Sequence, residues 1–442
     1  EHMGTWAHPY LRAHDEAMLE LTYLRDRRDE AIARLKKRNI DAEALIGNAA
    51  ELDGTRRATQ NALDALKSES NAISDTIGAL MKSGDKAGAD AARAKTAGLK
   101  ADIARLQDEL NAAEAALHDQ LCLIPNVPND KVPAGNSADD NITVMQEGNV
   151  PQLHDDARPH WELAEQYGLF SLDLGVKLTG AGFPVYIGQG ARLQRALIAF
   201  FLDRATAAGY TEIIPPHMVN ADSAFATGQL PDKEGQMYHA TTDNLYLIPT
   251  AEVPITNLYR DGTIEEERLP ITNVGYTPCF RREAGSYGAH VRGLNRVHQF
   301  DKVEIVRIEK PENSYAALEG MVEHVKGLLR DLELPYRQLL LCGGDMGFAS
   351  AMTYDMEVYS AAQQRWLEVS SISCFETYQS NRLKLKFKED KKTRLLHTLN
   401  GSALALARIV AALLENNQTP EGIRVPRALQ PYTGFEMIRK QQ

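Results

Sequence analysis

Apolar residues recur at alternating spacings of three and four along a polar stretch in the N-terminal part of the chain. A break at Ser83-Gly84-Asp85 divides the stretch in two. This alternation is typical of a coiled-coil seam, and two seams joined by a short glycine-containing break predict an antiparallel helical hairpin. Each helix would contain roughly 33 residues and extend on the order of 50 Å. The seam positions are Leu63, Leu66, Ser70, Ile73, Ile77 and Leu80, then Leu99, Ile103, Leu106, Leu110, Ala113 and Leu117.

A long polar hairpin of this kind cannot bury much surface against a globular body. It is therefore either an oligomerisation device or a probe that reaches a distant partner. From the pattern alone, a purely structural coiled coil is the default interpretation. A further helix is predicted over 18–38, and its end is basic. That end is either a solvated terminus favoured by the helix dipole or an RNA contact; its cations are Arg34, Lys36, Lys37 and Arg38.

Beyond the hairpin, residues 126–160 are rich in Pro, Asn, Asp and Gly and predict a linker. We therefore divide the chain into an N-terminal domain at 18–125, this linker, and a globular domain at 161–442. The string His2-Met3-Gly4-Thr5 suggests that 1–17 is tag or vector sequence, a native extension being the alternative. In the globular domain we predict helices at 190–208 and 402–416, and strands at 211–214, 245–248, 302–308, 365–371 and 382–388. This mixture of helices and strands predicts an α+β fold.

Composition and charge narrow the class of protein. The 442 residues are 43% hydrophobic and 25% charged, and no apolar run is long enough to cross a membrane. The cysteines Cys122, Cys279, Cys342 and Cys374 form no CxxC pair, which disfavours a disulfide framework or a zinc site and favours a reducing cytoplasm. A formal net charge of −11 argues by itself against a nucleic-acid partner, so any such contact needs local basic patches.

The densest polar cluster lies at 279–304, where two short apolar segments flank a glycine-containing loop. This arrangement predicts a long hairpin whose arginines could grip a polyphosphate, with Phe300 available to stack on a base. A surface hairpin with solvated charges is the alternative. The chain has no GxxxxGK[ST] loop, and Gly188-Gln189-Gly190-Ala191 lacks the third glycine of a dinucleotide fingerprint. The absence of HIGH and KMSKS strings excludes the Rossmann-type synthetase class.

The string FRREAGS…RGLNRVHQFDKVE, from Phe280 to Glu304, closely resembles motif 2 of class II aminoacyl-tRNA synthetases in the form found in bacterial seryl-tRNA synthetases. PTAEVP at 249–254, EVSS at 368–371 and HTLNGS at 397–402, running into Arg408, are similar to the same family. Pro216 is similar to the motif 1 proline. The resemblance runs from about residue 18 to the C-terminus. It implies an antiparallel catalytic sheet and a coiled-coil arm that binds tRNA.

The resemblance also implies a role for each site residue. Arg281 and Arg408 are the catalytic cations, Glu283 accepts from the adenine amino group, and Glu304 accepts from the serine hydroxyl. Mg²⁺ is held by Glu368 and Ser371. The serine site comprises Thr250, Glu252, Arg281, Glu304 and Ser402. The ATP site comprises Arg281, Arg282, Glu283, Arg296, Val297, Phe300, Glu368, Val369, Ser370, Ser371 and Arg408.

The activity implied is formation of seryl-adenylate from L-serine and ATP, followed by transfer of serine to tRNA(Ser) and also to tRNA(Sec). Mg²⁺ is the expected cofactor, without zinc, and the expected assembly is a cytoplasmic homodimer away from membranes. Two alternatives remain. An amino acid:carrier-protein ligase would lack the long arm, and a non-catalytic paralogue would have lost ATP or Mg²⁺ residues. The segment 372–379 departs from the common family pattern, so its conformation stays open.

Overall fold

The computed structural model describes residues 19–232, 234–283, 291–390 and 392–440. The segment 1–17, expected to be tag or vector sequence, lies outside this range, as do Ala284, Gly285 and Ser286 of the motif 2 string. Contacts divide the chain into two compact units. One comprises the residues up to Ala33 together with Asp41–Ile124, and the other comprises Arg34–Ile40 together with the chain from Pro125 onward.

The helices are α1 Leu21–Asp26, α2 Arg28–Leu35, α3 Ala42–Ser83, α4 Lys86–Leu121, α5 His160–Tyr167, α6 Leu172–Leu178, α7 Gly188–Ala207, α8 Ala221–Ala226, α9 Glu252–Asn257, α10 Ser314–Asp331, α11 Tyr378–Leu383, α12 Leu406–Asn416 and α13 Gln430–Thr433. The strands are β1 Ile142–Glu147, β2 Phe170–Ser171, β3 Val185–Tyr186, β4 Thr211–Glu212, β5 Met218–Val219, β6 His239–Ala240, β7 Leu245–Leu247, β8 Thr263–Ile264, β9 Ile271–Phe280, β10 Gln299–Glu309, β11 Tyr336–Leu340, β12 Met352–Ser360, β13 Arg365–Cys374, β14 Lys386–Glu389, β15 Lys392–Leu395, β16 His397–Ala405, β17 Gln418–Thr419, β18 Gly422–Arg424 and β19 Met437–Ile438.

The first unit confirms the predicted antiparallel hairpin. Helices α3 and α4 are 42 and 36 residues long, somewhat longer than the seam alone indicated. Gly84 ends α3 at φ 82°, a left-handed conformation that suits glycine, and the Asp85 side chain then caps α4 by accepting the backbone N–H of Gly88. Between the helices, Lys95 Nζ lies 2.8 Å from Glu69 Oε1. The buried seam includes Leu63, Ala89, Leu99, Leu110 and Leu117.

The basic end of the first predicted helix has a structural role that neither interpretation of the sequence foresaw. Arg38 is buried, and its guanidinium donates to the carbonyl oxygens of Asn126, at 2.9 Å, and of Ser350. Arg34 Nε donates to the Pro128 carbonyl at 2.7 Å, and burial lowers the pKa of Arg38 to about 10. These arginines belong to the second unit and bind main-chain carbonyls within that unit, which satisfies acceptors that would otherwise be buried and unpaired.

The second unit is organised around a large sheet. In the described chain its strand order is β1-β11-β12-β13-β16-β10-β9-β4, and all neighbours are antiparallel except the β4–β9 edge pair. The predicted motif 2 hairpin is the β9–β10 pair, in which Phe280 faces Gln299 and Gly275 faces Glu304. The predicted α+β class with an antiparallel sheet is therefore confirmed.

The two faces of the central strands differ because successive side chains alternate between them. One face is apolar and packs in a single core with helices α7, α10 and α12. The central strands contribute Val274, Val303, Ile305, Ile372 and Leu399 to that core. The opposite face carries polar side chains, and helix α9 packs over part of it, with Ile255 in contact with Val306.

Two local predictions were wrong. The predicted helix at 402–416 begins only at Leu406, because residues up to Ala405 extend strand β16 and pair with β10. The predicted strand at 382–388 begins only at Lys386, because Arg382 lies in helix α11, where its guanidinium is buried over the Phe225 ring. Among the described residues, no helix combines the length and the apolar character needed to cross a bilayer.

Candidate active site

The polar face of the sheet brings together side chains from strands that are distant in sequence. Cross-strand partners point to the same side of a sheet. The register pairs Glu304 with Ser402, Lys302 with Thr277, and Asp355 with Ser371. Strands β9, β10, β12, β13 and β16 therefore build one continuous polar surface, which we call the site face.

A cluster of buried polar side chains on the site face, which we call the pocket, is centred on Glu304. Its Oε1 accepts from Asn400 Nδ2 at 3.1 Å, and its Oε2 accepts from the Ser402 hydroxyl at 3.3 Å. The same Oε2 lies 2.6 Å from the Lys302 ammonium. The carboxylate is thus held in one orientation by three neighbours, which suits a group that must recognise a small polar ligand.

Glu252 forms the second carboxylate of this pocket. It begins helix α9, its backbone N–H donates to Thr250 Oγ1 at 3.3 Å, and its carboxylate accepts from Gln379 Nε2 at 2.7 Å. Gln379 is oriented in turn by Thr398. Burial raises the pKa of Glu252 to about 7, and the nearby Glu304 adds to the increase, while the Gln379 hydrogen bond opposes it. A buried carboxyl without a cation of its own favours a ligand that carries an ammonium group.

Arg281 lies where β9 ends, beside this pocket. Its Nε donates to the Pro249 carbonyl at 3.4 Å, and its guanidinium carbon lies 5.2 Å from the centre of the Phe300 ring. Pro249 precedes Thr250, so Arg281 contacts the loop that bears the serine-site threonine. A base that stacks on Phe300 has to share the ring with the Arg281 guanidinium.

A cleft of about 200 Å³ lies along β13. Arg408 lines it, and its guanidinium donates to the main-chain carbonyls of Glu368, at 2.8 Å, and of Asn295, at 2.9 Å. Arg296 also lines the cleft and forms an ion pair with Glu283. The cleft is therefore lined by arginines together with the carboxylates of Glu357 and Glu368, a mixture that fits an anionic ligand bound with a divalent cation.

Not every expected ATP residue presents its side chain to this cleft. Val297 and Val369 are buried in the apolar core, so only their backbones are available to a ligand. Ser370 is buried, and its hydroxyl donates to the Ser402 carbonyl at 2.5 Å. Arg282 donates to the Gly235 carbonyl at 3.3 Å.

The residues expected to hold Mg²⁺ lie at the β12–β13 end of the site face. Glu368 is exposed, and Ser371 contacts the carboxyl of Asp355, the residue opposite it. Asp355 Oδ1 is buried without a hydrogen-bond partner, and burial followed by the charge of Glu368 raises the pKa of this carboxyl well above its usual value. Carboxylate and hydroxyl oxygens beside an unpartnered acceptor fit a hard divalent cation.

Only two protein ligands are expected in that set, so phosphate and water oxygens would have to complete the coordination of Mg²⁺. Within the part of the chain that the structure describes, no group of three or more His, Cys, Asp or Glu side chains is placed to hold a metal ion.

Lys302, Gln379 and Asn400 belong to the pocket but were not predicted as site residues. For Lys302 a signal existed: it stands two residues before Glu304, so in a strand both side chains point to the same face. The same signal existed for Asn400, which stands two residues before Ser402, whereas Gln379 reaches the pocket only through tertiary packing, from 127 residues away from Glu252 in sequence.

Comparison with protein-family models gives two matches. Residues 18–128 match the seryl-tRNA synthetase N-terminal domain. Residues 237–417 match the tRNA synthetase class II core domain (G, H, P, S and T).

Similar proteins extend over nearly the whole chain. A serine–tRNA ligase of Salinibacter ruber is 49% identical over 424 residues, which cover 95% of this chain and 99% of that protein. A serine–tRNA ligase of Akkermansia muciniphila is 46% identical over 429 residues, which cover 96% of this chain and all of that protein.

Among solved structures, seryl-tRNA synthetase from Pyrococcus horikoshii complexed with ATP has a TM-score of 0.90 and 31% identity, covering 96% of this chain and 100% of that one. The cytoplasmic serine–tRNA ligase of Naegleria fowleri in complex with AMP has a TM-score of 0.85 at 24% identity, covering 98% of this chain and 100% of that one, and this likeness concerns the fold alone.

Proposed function

The chain belongs to the seryl-tRNA synthetase family, and on that premise we propose that the pocket around Glu304 binds L-serine while the cleft along β13 binds ATP. It is a class II aminoacyl-tRNA synthetase, an ATP-dependent serine–tRNA ligase. The observation that carries the assignment of the pocket is its pair of buried carboxylates, Glu252 and Glu304, beside the hydroxyl of Ser402.

Serine specificity follows from the polarity of the pocket. In this proposal Glu252 and Thr250 receive the substrate ammonium, and Glu304 and Ser402 receive the hydroxyl. Alanine would leave buried polar groups without partners, which is costly, whereas threonine has to be excluded by volume. The carboxylate of serine would point toward Arg281, whose positive charge acts on the Glu252 carboxyl of the pocket.

Activation needs no protein nucleophile. A carboxylate oxygen of serine attacks the α-phosphorus of ATP, the bond to the bridging oxygen breaks, and pyrophosphate leaves with that bonding pair. Arg281 would neutralise charge that develops between the two reactants, and Arg408 and Arg296 would hold the phosphates beyond them. These residues act by electrostatic stabilisation and by positioning the reactants, as in phosphoryl-transfer reactions. The terminal ribose hydroxyl of tRNA then attacks the seryl carbonyl and loses its proton, the bond between that carbonyl carbon and the phosphate oxygen breaks, and AMP leaves with the bonding pair.

For the metal, we propose that Glu368 and Ser371 hold Mg²⁺ against the phosphates of ATP. The ion would offset phosphate charge. The unpartnered Oδ1 of Asp355, beside Ser371, supports this placement. To bind the metal, the Glu368 carboxylate would have to move away from the Arg408 guanidinium, which lies 3.6 Å from it.

We propose that the α3–α4 hairpin binds the long variable arm of tRNA(Ser), and of tRNA(Sec) where that tRNA exists. The hairpin satisfies its own apolar seam, so its surface is free to contact a distant partner. A seryl-tRNA synthetase from M. kandleri, similar to this chain in fold alone (TM-score 0.57, 20% identity), forms a complex with A. aeolicus tRNASec.

We further propose a homodimer formed through the motif 1 region. Strand β4 lies at the edge of the large sheet, and the side chain of Ile214, just beyond it, is 85% exposed. An edge strand followed by an exposed branched apolar residue favours pairing with a second copy. The proposed cytoplasmic location rests on the cysteines of the described chain, which are free thiols.

The proposal is tested by ATP–pyrophosphate exchange without tRNA, run with each standard amino acid in turn. Serine alone should support exchange. Equal or better exchange with threonine or alanine would overturn the assignment of the pocket. A folded enzyme that gives no exchange with any amino acid would overturn the proposed chemistry altogether.

A further inference from the structure

A buried His160–Glu415 pair lies outside the serine pocket and the ATP cleft. Both side chains are 0% exposed, and His160 Nδ1 lies 2.6 Å from Glu415 Oε1. The backbone N–H of His160 donates to the same oxygen at 2.9 Å, and the other carboxylate oxygen accepts from Ser360. A buried pair with this many partners fixes the imidazole rigidly.

The second ring nitrogen of His160 points to the returning side of the motif 2 loop. Nε2 accepts the backbone N–H of Leu294 at 2.8 Å. A nitrogen that accepts from an N–H must present its lone pair, so the hydrogen-bond network assigns the ring proton to Nδ1, where it is donated to Glu415. The imidazole thus links a carboxylate in α12 to the main chain of the loop.

The link continues through the next residue to an arginine of the ATP cleft. Asn295 Nδ2 donates to Gln363 Oε1 at 2.8 Å, and Gln363 Nε2 donates to Glu415 Oε1 at 2.9 Å. The main-chain carbonyl of Asn295 then accepts from Arg408 Nε at 2.9 Å. The guanidinium is therefore oriented by a carbonyl whose own residue is held by the buried cluster.

Gly293 gives independent support for this path. Its φ is +71°, and a Cβ added there would lie 2.2 Å from His160 Nε2. The loop therefore passes directly over the imidazole, at a distance that only glycine permits. The neighbouring Arg292 guanidinium lies 4.8 Å from the centre of the Trp161 ring, which anchors the loop at a second point.

We propose that His160 is a positioning residue for the nucleotide site. With Glu415 it fixes the segment from Gly293 to Arg296 and, through the carbonyl of Asn295, sets the direction of the Arg408 guanidinium. The inference rests on the proposed function in one respect, namely that Arg296 and Arg408 bind ATP. Loss of the link should weaken ATP binding and leave the serine pocket, which His160 does not touch, unchanged.

Two substitutions of His160 separate its contact with Glu415 from its contact with Leu294. In His160→Asn the amide can replace Nδ1 and keep Glu415 paired, but it is too short to reach Leu294. In His160→Gln the amide oxygen can replace Nε2 and accept from Leu294. Ser360→Ala is the matched control, because it removes a hydrogen bond from the same buried carboxylate but leaves the contacts of the Gln363 side chain in place. The other partner of the Ser360 hydroxyl is the backbone N–H of Gln363, at 3.3 Å.

The measurements are KM for ATP, KM for serine and kcat in pyrophosphate exchange, together with Tm. His160→Asn should raise KM for ATP about tenfold or more, as expected when binding groups are misplaced by a fraction of an ångström. KM for serine should stay unchanged, and His160→Gln should recover part of the loss. Ser360→Ala should lower Tm and leave KM for ATP at the wild-type value.

Gly293→Ala provides a second route if His160→Asn does not fold, since it presses the loop away from an intact cluster. It should raise KM for ATP in the same way. An unchanged KM for ATP in a folded His160→Asn or Gly293→Ala enzyme overturns the inference, as does an equal increase in Ser360→Ala. Failure of the wild-type enzyme to exchange with serine would instead overturn the proposed function.

Discussion

Lys302 and Glu304 form an ion pair inside the proposed serine pocket, with Nζ and Oε2 2.6 Å apart and side-chain exposures of 6% and 1%. They stand two residues apart on β10, so both point to the site face. The pair gives Glu304 a cation of its own, whereas Glu252 has a neutral amide as its hydrogen-bond partner. The two carboxylates therefore have different partners before any substrate binds, a cation for Glu304 and a neutral amide for Glu252.

Lys302→Met should destabilise the fold by about 3–5 kcal/mol, because it leaves the Glu304 carboxylate buried without its cation. Urea unfolding measures this change. The double variant Lys302→Met/Glu304→Gln, which removes both charges, should recover most of the stability while serine activation stays lost. A single variant as stable as the wild type would show that the pair does not hold Glu304 in place.

Glu252→Gln should stabilise the free enzyme at pH 8 more than at pH 5. The pKa of Glu252 is raised to about 7 from 4.5, so the folded state binds an extra proton between these values and its stability falls as pH rises through this window. Above pH 7 the buried carboxylate is ionised at a cost of about 3 kcal/mol, which glutamine avoids. Urea unfolding at the two pH values provides the test, and equal effects at both would contradict the assignment.

Protonation of Glu252 should also change the pH dependence of serine binding. A proton on Glu252 competes with the serine ammonium, so KM for serine should rise as pH falls below about 7. KM for ATP should not follow this profile. A flat KM for serine between pH 5.5 and 8 would mean that Glu252 does not meet the ammonium.

Arg281→Ala should lower adenylate formation by at least about 10²-fold, the loss seen when one donor to a transition state is removed. The fold should survive, because among the described residues the side chain makes one long hydrogen bond, to the Pro249 carbonyl. Single-turnover formation of seryl-adenylate measures the loss. Arg307→Ala is the control, since that residue pairs with Glu309 on the same strand, and it should retain activity.

Shortening the arm should separate the two half-reactions. Removing residues 64–105 and joining the helices through a glycine-containing turn leaves the base of the hairpin intact. Pyrophosphate exchange should persist at the wild-type rate, because the seam of the hairpin is satisfied internally. Charging of tRNA(Ser) should collapse. If the shortened enzyme charges tRNA normally, the hairpin is a structural coiled coil and nothing more.

Ile214→Asp should convert the proposed dimer to a monomer, since a charge would replace an exposed apolar side chain next to the edge strand. Sedimentation equilibrium of the two proteins measures this directly. Leu123→Asp is a suitable control, because it places the same charge on an exposed apolar position in the other unit. A wild-type monomer would overturn the proposed interface.

The sequence by itself determined the features whose partners lie close together along the chain. The spacing of three and four predicted the α3–α4 hairpin and the position of its turn, because the two seams pack on each other. The motif 2 string predicted the β9–β10 hairpin, whose strands are also neighbours in sequence. Site residues such as Glu304 and Arg281 came from motif resemblance, and the structure places them on or beside one face of the sheet.

Only the tertiary structure decided which buried polar groups meet. Arg38 was indistinguishable from its solvated neighbours until its carbonyl partners, up to 312 residues away, were in place. His160 and Glu415 are 255 residues apart, and neither lies in a recognisable motif. The start of α12 moved to Leu406 because β16 pairs with β10, about 100 residues earlier in the chain. The physical reason is common to all three cases. A buried donor or acceptor must be paired, and its partner is chosen by the packing of the whole domain rather than by the residues beside it.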